Sequence, residues 1–325
     1  MKKNTTVKIV LVCVILLLIL VIMYSGLRIL ESTVFFKDQQ EPTLPSKVVS
    51  RDGQRYFLRQ DVTVMMVLGI EYQGKVADYT AVHDYPADMI TLLIFDELTE
   101  ECTLLCINRD TMATMPRLDD NGKEEGTAYA QIALSHNFGT GREDSCENTK
   151  KTVSRLLGGV TIDHYFAMNT DAIALLNDAV GGVSVNVTDD FSQVDPDIKM
   201  GQMTLSGKQA LTYVQARRFV SDQLNLSRID RQMEYMKGFV SALRTKASSS
   251  SSGMLKVYNA AAEYVVTDCS VSVLNRLLED YGNYSLNNVL LLPGENVLGE
   301  SHYEFYVDEE AADELILQLF YKPID

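Results

Sequence analysis

The chain is predicted to fold as an α/β body with a mixed central sheet flanked by helices, preceded by a single transmembrane helix. Three observations carry this reading. Apolar strand-like runs alternate with stretches of helical periodicity from residue 62 to residue 320, the pattern of helices packed on a sheet. Residues 89–95 and 103–108 both read as strands and are joined only by a polar turn at 96–101, so at least one strand pair is antiparallel and the sheet is mixed. Residues 9–27 run for 19 positions without a charge, enough to cross a bilayer's hydrocarbon core at helical rise.

Lys2, Lys3 and Lys8 precede that apolar run, and only Arg28 follows it closely. Basic flanks stay cytoplasmic. Residues 1–8 are therefore expected in the cytoplasm, 9–29 as a single-pass anchor in the cell membrane, and the C-terminal body outside. A cleaved signal peptide is the competing reading. The run is long for one and no small-x-small site follows it, which favours a retained anchor. Residues 30–60 are polar and irregular and read as an extracellular stalk.

The body begins with a buried strand over 62–68, ending in Gly69-Ile70-Glu71, and a loop follows to residue 86. After the 89–108 pair come a helix over 149–157 closed by Gly158-Gly159 and a strand over 163–167. The helix Thr170–Val180 is closed by Gly181-Gly182, and the strand Val183–Val187 follows. A short helix over 206–211 leads into residues 213–217, which alternate like a strand. Ser227 with Asp230 three positions on resembles a helix start. Residues 248–253 are a serine-rich loop. The helix Val271–Tyr281, a strand over 288–292 and the helix Glu309–Phe320 complete the chain. The organisation expected is a main domain over 61–247 and an accessory part of the same body over 254–325.

The formal net charge is −15, and without Lys2, Lys3 and Lys8 the balance is 26 basic against 44 acidic residues, which argues against nucleic acid as a partner. Against that background residues 211–232 hold Arg217, Arg218, Arg228 and Arg231. In the helix that follows Ser227, Ile229, Met233, Met236 and Val240 share one apolar face, and Arg228 and Gln232 lie one turn apart beside it. A strand end and a helix N-terminus would then aim guanidinium and backbone N–H groups at one space, a combination that suits a phosphate or pyrophosphate. Surface pairing of these arginines with carboxylates is the alternative.

The 89–108 pair has a derivable geometry. A hairpin centred between Leu98 and Thr99 mirrors residue numbers about that bond and sets Asp88 opposite Arg109, with Cα atoms about 5 Å apart. A carboxylate meeting a guanidinium at a strand end looks like a site. A cross-strand ion pair contributing under about 1 kcal/mol is the competing reading.

Cys13 falls in the membrane segment. Cys102 and Cys106 are four apart on a strand, about 13 Å, too far to bridge, and a Cys146–Cys269 pair is left open. His83, His136, His164 and His302 are scattered with no metal-ligand spacing, so no zinc site is expected. No GxSxG elbow, GxxxxGK[ST] loop or strand-linked GxGxxG is present, which withdraws support from serine-hydrolase acyl transfer and nucleotide hydrolysis.

A set of motifs in order does carry a likeness: LGIE (68–71), ADM (87–89), INRDT (107–111), AYA around Tyr129, LLGGVTIDHY (156–165), NDAVGGVSV (177–185), LSGKQALTYVQAR (205–217) and SRIDRQ (227–232). The chain resembles the LytR-CpsA-Psr family of cell-wall glycopolymer ligases over about residues 62–243. That resemblance implies a membrane-anchored extracellular phosphotransferase that moves an anionic glycopolymer, such as a teichoic acid or capsule, from a polyprenyl-pyrophosphate carrier onto peptidoglycan. It implies that Mg²⁺ and arginines hold the pyrophosphate and that an apolar tunnel holds the prenyl chain. By motif match, Asp88 and Arg109 correspond to the catalytic residues, and Asp88 with Glu71 to the metal ligands. Arg217, Arg228 and Gln232 correspond to pyrophosphate contacts, with Gln215 and Arg231 beside them. The chain departs from the family pattern at Glu71, where aspartate is usual, and at Gln215, where arginine is usual.

The chemistry agrees, because breaking a phosphoanhydride needs charge neutralisation more than covalent help. Two alternatives stand beside transfer: hydrolysis of a lipid pyrophosphate at the same site, and a membrane-anchored lipid or polymer binder that regulates envelope assembly without turnover.

Overall fold

The computed structural model describes residues 48–80, 85–119, 121–216, 219–220, 224–250, 252–299 and 302–324. The expected cytoplasmic segment, the anchor and Arg217 lie outside the described residues. Among the described residues no helix is long and apolar enough to cross a membrane. The chain divides into two units, one of Met1–Leu58 with Pro323–Asp325 and the other of Arg59–Lys322.

In the first unit, β1 (Val48–Arg51) and β2 (Gln54–Leu58) form an antiparallel hairpin. This corrects the reading of 30–60 as irregular throughout. The turn is Asp52-Gly53 with φ of 52° and 78°; two successive positive φ values make the tight turn that matches strand twist, and Asp-Gly supplies them at low cost.

The second unit is built on β3 (Val62–Ile70), β4 (Ala87–Asp96) and β5 (Glu101–Ile107), followed by the hairpin β6 (Met112–Leu118) and β7 (Glu124–Gln131). Helices α1 (Leu134–Asn137) and α2 (Glu143–Leu156) lead to β8 (His164–Asn169), α3 (Thr170–Val180) and the hairpin β9 (Val183–Val187) and β10 (Gly201–Leu205). Then come α4 (Gly207–Gln215), the long α5 (Leu224–Ser248), α6 (Gly253–Ala261), β11 (Val265–Thr267), α7 (Val271–Tyr281) and β12 (Ser285–Leu291). The hairpin β13 (Gly294–Leu298) and β14 (Tyr303–Val307) and the helix α8 (Glu309–Phe320) follow.

Among the described residues, six strands form the central sheet in the order β11-β8-β3-β4-β5-β12. β3–β4, β4–β5 and β11–β8 are antiparallel, while β3–β8 and β12–β5 are parallel. The mixed sheet is thus as expected, and the segments after residue 253 supply both of its edges. On one face, Met65, Val67, Leu93, Leu104 and Cys106 pack against Met233 and Met236 of α5, with Ile229 on the same cluster, three of the four residues assigned to that helix's apolar face.

Local chemistry explains the helix bounds. Asn169 caps α3 by accepting from the N–H groups of Asp171 and Ala172. Gly181 takes a left-handed φ of 93° and Gly182 donates to the Asn177 carbonyl at 2.9 Å, the closure that glycine alone makes cheaply. Two expectations fail. Residues 213–215 are helical, not strand, because Ser206 and Gln209 form a capping box that starts α4 and carries it to Gln215. The long helix begins at Leu224 rather than at Ser227, so Ser227 is no cap.

Cys102, Cys106, Cys146 and Cys269 are all free and buried, so Cys146 and Cys269 do not pair. Cys146 Sγ lies 3.6 Å from His136 Nε2, and His136 Nδ1 lies 2.7 Å from the Tyr85 carbonyl. A neutral imidazole satisfies both neighbours by donating at Nδ1 and accepting the thiol proton at Nε2. Burial pushes His136 down to about 4. The unfolded chain therefore takes up this proton near pH 6.5 and the folded chain only near pH 4. Stability should fall as pH drops through that window, by a few kcal/mol at about 1.4 kcal/mol per pKa unit. Denaturant titrations at neutral and acid pH should show this loss, and His136→Gln should remove it; an unchanged pH slope in that variant contradicts the assignment.

Candidate active site

Asp88 owes its position to a β-bulge. β3 and β4 pair from Val62↔Asp96 to Gly69↔Met89, and the next pair is Ile70↔Ala87, so Asp88 is passed over. Strict alternation would have placed Asp88 on the face of Ile90 and Leu92, which are buried in the core. The extra residue re-aims it, and Asp88 and Met89 line one cavity together.

Arg109 comes from the other side of the same hairpin. β4 and β5 pair from Asp96↔Glu101 to Ile90↔Ile107, the register that the turn spacing predicts. Beyond the ladder the backbone of Ala133 is inserted: the Ala87 N–H donates to Ala133 O at 3.1 Å, and the Ala133 N–H donates to Arg109 O at 3.1 Å. Asp88 and Arg109 are therefore not the directly opposed pair expected from the turn, but their side chains still meet across the inserted backbone, Arg109 Nη1 pairing with Asp88 Oδ1. The same Nη1 is 4.0 Å from Glu71 Oε2, and Arg109 Nε is 3.5 Å from Asp110 Oδ1. Asp110 is a neighbour that the sequence reading missed, although it follows Arg109 in the INRDT motif.

α5 brings the second guanidinium. Arg228 is only 3% exposed, and its Nη1 donates to Asp88 Oδ2 at 3.5 Å. One turn on, Gln232 donates from Nε2 to the Val214 carbonyl at 3.3 Å, which ties α5 to the end of α4. Gln215, the last residue of α4, is exposed and lines the same cavity as Glu71, Asp88, Arg228 and Gln232. Five of the residues singled out in the sequence therefore share one rim, and Arg109 adjoins it with Asp88, Arg228 and Gln232 around a smaller recess.

Arg231 is elsewhere. Its Nε donates to Tyr213 O at 3.0 Å, its Nη2 donates to Ala216 O, and its Nη1 pairs with Asp189 Oδ2 at 2.5 Å. These bonds satisfy the open carbonyls at the end of α4. Its guanidinium therefore closes the end of α4 rather than lining the cavity.

Behind the rim the space turns apolar. The rim cavity and a larger neighbouring cavity share Met168, Leu176, Met236 and Phe239 in their walls. The second lies between the sheet, α5 and α7, lined by residues such as Val67, Phe166, Leu243 and Leu277. Burial pushes the Cys102 thiol at its wall up to about 12, which keeps that wall uncharged. None of these lining positions was assigned from sequence, since they come together only when α5 and α7 pack on the sheet.

Within a mixed α/β body, a charged rim thus lies beside two apolar cavities that share part of their walls. The chain belongs to the LytR_cpsA_psr family, whose profile matches residues 24–320. It is similar to the polyisoprenyl-teichoic acid–peptidoglycan teichoic acid transferase TagU of Oceanobacillus iheyensis, at 26% identity over 270 residues, 80% of this chain and 76% of that protein. In fold it is similar to protein gbs0355 of Streptococcus agalactiae, with a TM-score of 0.65 at 19% identity over 79% of this chain and 87% of that one. It is also similar in fold to TagT bound to LI-WTA, with a TM-score of 0.61 at 20% identity over 80% and 90% of the two chains.

The placement of Arg231 separates two roles that the sequence merged. Arg231→Ala should destabilise the fold by roughly 3 kcal/mol, because Asp189 and two carbonyls lose their partner. Its affinity for a short-chain polyprenyl pyrophosphate should stay close to that of the parent. Denaturant titration and ligand titration together read this; a stable Arg231→Ala protein with weakened affinity would return Arg231 to the site.

Proposed function

We propose that this protein is an extracellular, membrane-anchored phosphotransferase that moves a glycopolymer from a polyprenyl-pyrophosphate carrier onto peptidoglycan. The observation that carries the reading is the junction of the Asp88, Arg109 and Arg228 rim with the apolar cavity behind it. The rim offers guanidinium donors to a pyrophosphate, and the cavity offers dry volume to a prenyl chain. The TagU relative is named for a transfer of teichoic acid onto peptidoglycan, the same reaction class.

In this scheme Arg228 and Gln232 hold the pyrophosphate at the cavity mouth. A peptidoglycan sugar hydroxyl attacks the phosphorus that carries the polymer. The new P–O bond forms as the phosphoanhydride breaks, and prenyl phosphate leaves with the bonding pair. Arg109 offsets the charge that builds on the transferred phosphoryl oxygens. The hydroxyl proton passes to Asp88, a carboxylate that lines that space.

The donor set also fits Mg²⁺. Among the described residues, the guanidiniums of Arg109 and Arg228 face the carboxylates of Asp88, Glu71 and Asp110. A pyrophosphate added to that balance calls for further positive charge. Few carboxylates beside phosphate oxygens is the arrangement that Mg²⁺ prefers. Asp88 and Glu71 would hold it, and its chemistry there would be neutralisation of the phosphate oxygens. The anchor over residues 9–29 would keep the body beside the bilayer that supplies the lipid.

The test is product analysis with a polyprenyl-pyrophosphate-linked glycopolymer, peptidoglycan and Mg²⁺. A polymer–peptidoglycan adduct with prenyl phosphate is expected. Asp88→Asn and Arg109→Ala should each lower turnover by about 10²-fold or more while the protein stays folded, and chelator should abolish turnover. Free polymer phosphate would instead mean hydrolysis, and unchanged lipid would mean a binder without turnover.

A further inference from the structure

A second group of ligand-type side chains lies away from the rim, at the opposite end of β8. β11 and β8 pair as Val265↔Met168, Val266↔Ala167 and Thr267↔Phe166. Continuing that antiparallel register sets Cys269 opposite His164, and directly opposed residues share a face. The backbone there is held in place: Thr267 Oγ1 donates to Tyr165 O at 2.6 Å, and the Cys269 N–H donates to Thr267 Oγ1 at 3.1 Å. Asp268 Oδ1 accepts from the Tyr165 N–H at 3.0 Å, which orients the carboxylate and leaves Oδ2 to face His164.

His164 Nδ1, a carboxylate oxygen of Asp268 and Cys269 Sγ all lie within 4.8 Å of one another. His164 Nδ1 is 3.6 Å from Asp268 Oδ2, and Cys269 Sγ is 3.5 Å from Asp268 Oδ1. Ligand atoms around a tetrahedral zinc ion are separated by about 3.4–3.6 Å, given bonds near 2.0–2.3 Å. His164 Nδ1 is closed off from solvent and makes no hydrogen bond among the described residues, and 3.6 Å is too long for one to the carboxylate. A buried ring nitrogen without a hydrogen-bond partner, facing a carboxylate and a thiol, is an arrangement that a cation between them would satisfy.

We propose that His164, Asp268 and Cys269 form a binding site for a thiophilic divalent cation of the Zn²⁺ class, with its fourth position open to water. One nitrogen, one oxygen and one sulfur donor select a borderline-soft ion over Mg²⁺, which takes oxygen ligands. The site is therefore chemically distinct from the Asp88 and Glu71 pair. Its place in the fold gives it a consequence. Ser270, the next residue, caps α7, and α7 supplies Leu274, Leu277 and Tyr281 to the wall of the larger cavity. A bound ion would fasten the start of β8 to the turn that launches α7, and so hold that wall against the sheet. Sequence spacing concealed this site because His164 and Cys269 are far apart in the chain and meet only through the β8–β11 pairing.

The experiment uses the full-length protein in detergent, stripped with chelator and titrated with Zn²⁺ in excess Mg²⁺, then with Co²⁺ for its spectrum. One equivalent of Zn²⁺ should bind and raise the melting temperature, and Co²⁺ should show a thiolate charge-transfer band with the visible bands of a four-coordinate ion. Cys269→Ser should lose that charge-transfer band and bind Zn²⁺ at least tenfold more weakly. Asp268→Asn, at a more exposed position, should weaken binding likewise while the protein folds. Asp88→Asn should bind Zn²⁺ as the parent does. Absence of a bound equivalent, a cobalt spectrum without the thiolate band, or parental affinity in both Cys269→Ser and Asp268→Asn would overturn the site, as would loss of binding in Asp88→Asn.

Discussion

One carboxylate held between two guanidiniums organises this protein. Asp88 Oδ1 meets Arg109 and Asp88 Oδ2 meets Arg228, and each partner arrives on a different element. Charges this far out of water are costly unless each is paired, so the bulge in β4, the end of β5 and the placement of α5 are mutually constrained. Removing one partner would leave the others exposed to that cost. The same constraint preorganises the rim: the guanidiniums are already in place before any anionic head arrives, which reduces the reorganisation left for catalysis.

The apolar space follows from how the sheet is covered. α5 crosses the face presented by Met65, Val67, Leu93 and Leu104, but it packs there through methionines, Met233 and Met236. Flexible side chains of this kind adapt to irregular volumes. With α7 forming the far wall, the larger apolar cavity lies between sheet and helices and shares four wall residues with the cavity at the rim. Helix closure by Arg231 and the tie from Gln232 to Val214 keep α4 and α5 together at its mouth, so the polar part of the site and the apolar part share one support.

Much of this was legible in the sequence. The register of the 89–108 hairpin could be derived because a short polar turn fixes a mirror relation, but Asp88 and Arg109 meet by their side chains across the inserted Ala133 backbone and not as a directly opposed pair. Asp88, Arg109, Arg228, Gln232, Glu71 and Gln215 could be gathered because their motifs run in an ordered series. What escaped has physical reasons. Tyr213 and Val214 look like strand residues, yet the Ser206–Gln209 capping box wins over local propensity. Asp52-Gly53 is a strong hairpin signal that the surrounding polarity obscured. Arg231 shares a sequence window with Arg228, but Asp189 and the Tyr213 and Ala216 carbonyls take up its guanidinium, partners that only the packing of α5 against α4 brings near. The bulge at Asp88 leaves no trace in residue type, and the cavity exists only as a product of packing between distant segments.

The claim at the centre is that one continuous space receives both ends of a lipid pyrophosphate. The most direct measurement is a crystal structure of the protein with a polyprenyl pyrophosphate and Mg²⁺. The account predicts phosphate oxygens in contact with Arg228 and Gln232 beside Asp88, and the prenyl chain running past Met168 and Met236 toward α7. Phosphates bound away from that rim, or a prenyl chain lying on the outer surface with the cavity left empty, would contradict it.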